Sequence, residues 1–378
     1  MNTFWKLLQI TTFWESHWTA VWVTIDWYPA GFEIDENFIK SELDRRKTGQ
    51  SRLVSQRKES ESFEIVSGVF KGKTTGHPIM IIIYNSNQKS KDYDNVKDLF
   101  RPNHADLTYH QKYGVRDYRW GGRSSARETT SRVLAWSLAK QFLKEKFGTQ
   151  IFWYTKQIAD IKAENIDLDI IEDNAIRTAD EAVAELMIKK IEEVASRWDT
   201  IGWILECTVK NPLKNLWEPT FGKIKARLAD AMLSIWAVQW FEYWAGFDVI
   251  KETWMTYNEG FEVTTGQTQG TAPTEKGSRG EPCVHPDNHK QFVHSPSNNY
   301  WWILEWISTW EDIIFRIAVK PTSSIYKAQK TVDIAWDEVD FQIRWRHDPC
   351  ILPRVVPIVE SMVALVLMDL YLIDRSKR

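Results

Sequence analysis

Ser125–Phe147, SARETTSRVLAWSLAKQFLKEKF, is the stretch that decides the architecture. Its opening, Ser125 to Glu128, has the S-x-x-E form of a capping box, in which two orphan N–H groups at a helix start are satisfied reciprocally. The periodic run that follows predicts a long helix to about Phe147. Upstream, FEIVSGVF (63–70) and PIMIIIY (78–84) read as strands separated by the glycine-bearing turn KGKTTGH. A run as continuously apolar as IMIIIY predicts a strand covered on both faces.

Working outward, residues 5 to 34 mix β-branched and aromatic residues in short runs and end at a Pro29-Ala30-Gly31 turn, which predicts strands. Asp35 is placed to cap a helix through Arg46. Thr178-Ala179-Asp180-Glu181 repeats the capping signature ahead of a helix to about Arg197, and a further helix is predicted over Phe221 to Ile235. Residues 258–299 are poor in apolar residues and rich in Gly, Pro, Ser, Thr, Asn and His, so a long mobile excursion is expected there. The last third returns to strands, DIIFRIAV and VDFQIRW, and closes with a helix from Pro357 to about Leu372. The apolar stretch Ile358 to Ile373 carries Glu360 and Asp369, so it reads as a buried or interfacial helix and not as a membrane span. Strands and helices alternating in blocks, with no short-period repeat, imply an α/β or α+β layered fold, expected as one large unit over 1–378.

Composition narrows the function classes. The formal net charge of −3, with 43% hydrophobic and 26% charged residues, lacks the basic excess of a nucleic-acid binder. Cys207, Cys283 and Cys350 lie far apart and form no CxxC pair, so neither a zinc site nor any other metal site is expected, and a reduced, cytoplasmic setting is. Lys6 and Glu15 interrupt the N-terminal apolar residues, and no secretory cleavage site follows.

Chemistry is concentrated in a few places. Glu15-Ser16-His17 precedes Asp26, and Arg101-Pro102-Asn103-His104-Ala105-Asp106 sets an imidazole between a guanidinium and a carboxylate. Histidine suits proton transfer near neutrality. Arginines cluster at Arg45, Arg46, Arg52 and Arg57, at Arg116, Arg119, Arg123 and Arg127, and at Arg344, Arg346 and Arg354. Any one run could be a solvated basic face, but three such runs in a chain of net negative charge suggest a pocket for a polyanion, since arginine matches carboxylate and phosphate bidentately. Gly121-Gly122-Arg123-Ser124-Ser125 leads into a helix start, where free N–H groups favour an anion, and Lys320-Pro321-Thr322-Ser323-Ser324 gathers a cation and hydroxyls in one turn.

Together these blocks resemble chorismate synthase in order and spacing: FWESHWTAVWVTIDWYPAG, LDRRKTGQSRLVSQRKESESFEIVSGVFKGKTTGHPI, DYDNVKDLFRPNHADLTYHQKYGVRDYRWGGRSSARETTSRV, NNYWWILEWIST, KPTSSI and RHDPCILPRVVPIVESMVALVL. The resemblance implies a single large β-α-β sandwich-type domain that removes phosphate and a proton from 5-enolpyruvylshikimate 3-phosphate by 1,4-elimination, giving chorismate in the shikimate pathway of aromatic amino acid biosynthesis. It implies reduced FMN as cofactor, although the reaction is redox-neutral overall, with the flavin reduced by an external source for which NADP is the associated nicotinamide. By the same resemblance His17 and His104 would donate protons and Asp348 would sit near the flavin's reactive ring. Ser16, Arg46, Arg52, Arg127 and Arg346 would meet the anionic substrate. Arg123, Ser124, Ser125, Ala237, Lys320, Pro321, Thr322, Ser323 and Ser324 would hold FMN, with Arg346 on the cofactor side as well. A homotetramer is implied, with neither nucleic acid nor membrane as partner.

The tryptophans depart from that pattern. The chain has 21 Trp and 17 Gly, where average usage of about 7% would give roughly 26 glycines in this length. Essentially all the tryptophans fall where the family has glycine, among them Trp14, Trp18, Trp22, Trp27, Trp120, Trp240, Trp244, Trp301, Trp302, Trp306, Trp310 and Trp345, and Glu305 also replaces a glycine. So regular a replacement looks deliberate and not drifted, which points to an engineered or otherwise altered sequence. Trp14, Trp18 and Trp22 are spaced four apart, as in a helical stripe, but the β-branched residues between them favour strands. An indole meets neither the positive φ nor the close backbone approach for which glycine is used, so weak turnover and poor FMN binding are expected. The alternatives are a non-enzymatic module whose indoles stack on flat ligands and an inactive, association-prone chain.

Overall fold

The structure, a computed structural model, describes residues 2–13, 18–50, 61–85, 96–118, 122–216, 220–243, 245–253, 262–265, 291–294, 303–304, 307–308, 311–342 and 350–377. In chain order the first strands are β1 (Thr3–Phe4), β2 (Ile10–Phe13) and β3 (Ala20–Ile25), followed by helix α1 (Glu36–Arg46). Then come β4 (Phe63–Ser67), β5 (Val69–Phe70), β6 (Lys73–Thr74), β7 (Ile79–Tyr84), α2 (Asp106–Tyr113) and α3 (Thr129–Phe147). The middle holds β8 (Gln150–Ile158), β9 (Ile161–Lys162), α4 (Glu181–Ser196), β10 (Trp203–Lys210), α5 (Ile224–Leu233) and β11 (Val238–Tyr243). The rest is β12 (Glu262–Thr265), β13 (Gln291–His294), β14 (Ile303–Leu304), β15 (Ile307–Ser308), β16 (Ile313–Val319), β17 (Gln329–Val332), β18 (Glu338–Phe341) and α6 (Leu352–Ser376).

Two five-stranded antiparallel sheets enclose a helical layer. The first has the order β1-β2-β3-β7-β4, the second β11-β16-β10-β8-β9. α3 lies on β3 of the first sheet and against α6, and α6 lies on β8 of the second, which gives a β-α-β sandwich. Strand alternation supplies the two inner faces. Val21, Val23 and Ile25 of β3 are buried, as are Ile79, Ile81 and Ile83 of β7, and Leu205, Cys207 and Val209 of β10 face the core with Ile313, Phe315 and Ile317 of β16. The expectation that IMIIIY is covered on both faces is corrected, since Met80 and Ile82 are half-buried and Tyr84 is exposed. An antiparallel sheet can leave one face open.

α3 and α6 are buried almost all round. Val133, Leu134, Trp136, Leu138 and Leu143 are buried on α3, and every residue from Val355 to Leu370 is buried on α6. α6 is long and apolar enough to cross a membrane by length and composition, but 83% of its apolar window is buried inside the protein, as in a core helix. It begins at Leu352, ahead of the expected Pro357, which lies inside it. Pro357 has no N–H to give the carbonyl of Pro353, and Arg177 Nη1 donates to that carbonyl instead. Asp369 of α6 takes the backbone N–H groups of Leu7 and Leu8 at 2.9 and 3.0 Å, tying the N-terminal segment to the helix layer.

Charges also bind the helices together. Arg45 of α1 makes a two-point contact with Glu360 of α6, at 2.6 and 2.8 Å, and Lys140 of α3 reaches both Glu360, at 2.5 Å, and Glu42, at 3.0 Å.

Both capping signatures are used differently from the expectation. Ser125 caps a short 3-10 turn, Ala126–Glu128, by accepting from Arg127 N, and Glu128 turns to Arg132 (2.6 Å) and Thr12 (3.3 Å). At α4 the cap is Asp180, accepting from Ala182 N, while the Thr178 hydroxyl donates to Thr155 O at 3.0 Å. Trp22 lies in β3, which removes the helical-stripe reading, and Trp14 falls outside the described residues. Of 258–299, only the antiparallel pair β12–β13 is described.

Candidate active site

The arginines of the first cluster part company although they are neighbours in sequence. Successive residues near a helix end point in different directions, so Arg45 enters the ionic cluster with Glu360, while Arg46 turns to the start of α3. There Arg46, 1% exposed, donates to Glu61 Oε1, and Arg127 Nη1 donates to the same oxygen at 2.6 Å. Arg127 Nη2 also reaches Asn85 Oδ1 at 3.2 Å, and Arg354 Nε donates to the Arg46 carbonyl at 3.2 Å. Burial pushes the Glu61 carboxyl up, but Arg46 and then Arg127 outweigh it and hold it below the usual carboxylate value. Burial lowers the Arg46 guanidinium, with Glu61 opposing the shift and Arg354 and Arg127 adding to it.

A second group forms around Asn103, which has a left-handed φ of 57°. The Arg101 guanidinium and backbone N–H clasp Asp106 at 2.7 to 3.0 Å, fixing the turn that carries His104. The His104 Nδ1 lies 2.8 Å from the Pro102 carbonyl. Burial lowers the His104 imidazole below its ordinary value, Arg101 lowers it further, and the Pro102 carbonyl partly opposes. Lys320 Nζ donates to Asn103 Oδ1 at 3.2 Å and Ser323 Oγ to the Asn103 carbonyl at 3.4 Å. The Lys320 backbone N–H is 2.9 Å from the carbonyl of Ala237, itself left-handed at φ 72°. Thr322 is held through its carbonyl by the Thr200 hydroxyl at 2.8 Å.

Arg123 bridges to the first sheet, donating to Thr12 Oγ1 at 2.6 Å and Asn2 Oδ1 at 3.1 Å. The Thr12 hydroxyl meets Glu128, and Glu128 holds Arg132, which donates to the hydroxyl and carbonyl of Ser234 at the end of α5. Two hydroxyls in these segments, Ser124 Oγ and Thr322 Oγ1, are buried without a hydrogen-bond partner among the described residues. Buried hydroxyls are seldom left so, and as donors they fit an anionic, acceptor-rich ligand.

Of the residues expected at the site, Arg46 and Arg127 thus meet on one carboxylate, His104 adjoins Asn103, Lys320 and Ser323 bond to it, and Ala237 is joined to that group through the Lys320 backbone. Ser125 acts as a cap, Pro321 is exposed, and Ser324 is half-buried in the same turn. Ser16, His17, Arg52, Arg346 and Asp348 lie outside the described residues. Not every clustered arginine serves a pocket: besides Arg45, Arg116 is spent on the carbonyls of Val96, Lys97 and Leu99 and on Asp106. Sequence reasoning missed Glu61, Asn85 and Thr12. The one signal for Glu61 is a carboxylate beside the strand FEIVS, just after an arginine-rich run.

The family model for chorismate synthase matches residues 8–372. The chorismate synthase of Christiangramia forsetii is 44% identical over 100% of this chain and 99% of the relative, and that of Phocaeicola vulgatus is 42% identical over 99% of each. That of Roseiflexus castenholzii is 42% identical over 100% of this chain and 98% of the relative. A crystal structure of chorismate synthase superposes with a TM-score of 0.70 at 24% identity, over 98% of this chain and 92% of the other, and so shares the fold. The chain belongs to the chorismate synthase family.

Proposed function

We propose that this chain catalyses the family's reaction, the 1,4-elimination of phosphate and a proton from 5-enolpyruvylshikimate 3-phosphate, with reduced FMN as the required cofactor. The observation that carries the reading is the convergence of Arg46 and Arg127, from different elements, on one buried carboxylate. Guanidinium groups so held are placed for the carboxylates and phosphate of the substrate. On the cofactor side Arg123, Ser124, Lys320, Thr322 and Ser323 would hold FMN, and the unpartnered hydroxyls of Ser124 and Thr322 support that assignment. Reduced flavin supplies electron density that eases departure of the allylic phosphate.

His104 contributes proton handling. With Nδ1 on the Pro102 carbonyl, Nε2 is left as the nitrogen that exchanges a proton. Its lowered pKa makes it neutral near pH 7 in the ligand-free protein. It takes up a proton when an anionic ligand arrives, and can then act as the donor to departing phosphate. His17 and Asp348 would complete the proton inventory, and Ser16, Arg52 and Arg346 the anion contacts. A homotetramer, an external flavin reductant and a cytoplasmic setting belong to the same proposal.

No described feature favours the indole-stacking alternative. The exposed indoles Trp18, Trp27, Trp198 and Trp336 lie in separate connections between elements, Trp236 follows α5, and Trp240 of β11 is stacked on Phe247 of the chain itself. Incubation with substrate under anaerobic conditions, with chemically reduced or with oxidised FMN, tests the proposal. Phosphate and chorismate should appear in equal amounts with reduced flavin only, slowly because tryptophans occupy family glycine positions. Flavin-independent release, or none at saturating reduced flavin, contradicts it.

A further inference from the structure

The shared carboxylate carries an inference beyond the reaction itself. Glu61 presents Oε1 to both Arg46 and Arg127, while its Oε2 is buried with no partner among the described residues, and Arg46 Nε is likewise unpartnered. The side chain of Glu61 is 2% exposed and that of Arg127 16%. One buried acceptor and one buried donor are therefore left unbonded among the described residues around this cluster, an arrangement that an anionic ligand can improve by taking the guanidinium forks and releasing the glutamate.

We infer that Glu61 is an internal counter-anion, a specificity-determining residue that occupies the substrate-binding arginines when no ligand is present. A ligand with one anionic group gains little by replacing a carboxylate that is already in place. One bearing a carboxylate and a phosphate on the same ring engages further cations and displaces it. Inorganic phosphate, a product of the proposed reaction, is thereby held off. This inference rests on the proposed anion-binding role of Arg46 and Arg127.

Calorimetry with inorganic phosphate reads the site without turnover. E61Q keeps the shape and removes the charge, so it should bind phosphate about tenfold more tightly than the wild-type chain, and E61D, which keeps the charge, should stay within about threefold. Unchanged or weaker phosphate binding by E61Q overturns the inference. Should E61Q fail to fold, the wild-type chain still decides: shikimate 3-phosphate should bind at least about a hundredfold more tightly than inorganic phosphate, and near-equal affinities overturn the inference. A chain that shows the E61Q effect but no flavin-dependent elimination would sink the proposed reaction and leave the counter-anion standing.

A different observation supports a second inference. Trp5, Trp27, Trp198 and Trp336 have φ of 76°, 62°, 60° and 69°, the left-handed region that favours glycine and strains a bulky side chain. Elsewhere the indole N–H groups of Trp136, Trp153 and Trp203 are buried with no acceptor among the described residues. The tryptophans thus occur in exposed turns, inside a buried helix and inside buried strands, with no environment in common that an indole would serve. A rule acting on one codon produces that distribution, whereas selection for a side chain does not.

We propose that the cell which makes this protein reads the codon behind these tryptophans as glycine. The tryptic peptide 7–40 contains Trp14, Trp18, Trp22 and Trp27, so peptide mass spectrometry on protein from its natural cells decides the matter. Glycine at all of these positions is expected, and tryptophan there overturns the proposal. A recombinant chain gives an independent reading: W27G, W198G and W336G combined should raise the thermal midpoint by roughly 5 °C, and an unchanged or lower midpoint counts against it.

Discussion

His104 shows how far a residue's neighbours decide its chemistry. The motif around it made it a proton-transfer candidate, but the sequence could not say which charge it carries. That follows from burial and from Arg101, both of which lower its pKa. Its titration, followed by NMR in the ligand-free protein, should give a value below the ordinary histidine range of about 6.5; a value at or above it contradicts the assignment. H104A should lower kcat/KM by about 100-fold or more if the ring handles a proton, and a loss below about fivefold would remove it from the chemistry. The roles of Arg45 and Arg46 were equally illegible, because adjacency in sequence says nothing about where successive helical side chains point. Glu61 was invisible for a related reason: an exposed-looking carboxylate before a strand becomes a buried one only when α1 and the start of α3 meet around it.

Elements were legible where local chemistry suffices. Asp35 caps α1 by accepting from Asn37 and Phe38, as its position before the helix predicts. Where a tertiary partner competes, the local reading shifts. Glu128 leaves its capping box for Arg132, and Thr178 yields its cap to Asp180. Pro357 misplaced the start of the last helix because the carbonyl it strands is taken by Arg177, from a distant segment.

Glu360 joins α6 to α1 and α3 and gives the fold a defined acid sensitivity. Burial raises its carboxyl, but Arg45 and Lys140 outweigh burial and hold it down to about 2. A carboxylate held below its unfolded value of about 4.3 contributes stability above that pH, and the contribution is lost as pH falls from there toward 2. Thermal midpoints should therefore fall between about pH 4.5 and 2.5 in the wild-type chain and fall less in E360Q. At neutral pH E360Q should be destabilised by about 3 kcal/mol in urea unfolding, and a cost below about 1 kcal/mol would show the cluster to be dispensable.

At the scale of the molecule, two antiparallel sheets around buried helices account for the layered reading, since apolar alternation asks for one covered face on each sheet and the long periodic helix supplies the cover. Strand order and the pairing of β3 with β7 were not legible, because nothing local specifies which strand lies beside which. The tie between Asp369 and the N–H groups of Leu7 and Leu8 is of that long-range kind. D369A should cost about 1–3 kcal/mol by leaving buried donors unsatisfied, and hydrogen exchange should show early loss of protection over residues 7–13; unchanged protection there would contradict the tie.

The most direct test is anaerobic phosphate release from 5-enolpyruvylshikimate 3-phosphate with chemically reduced FMN, comparing the chain as it stands with one carrying glycine at its tryptophan positions. Flavin-dependent release with matching chorismate from both chains, at least about tenfold faster from the glycine-bearing one, is the predicted result. A glycine-bearing chain that folds, binds reduced FMN and still releases no phosphate would contradict the account.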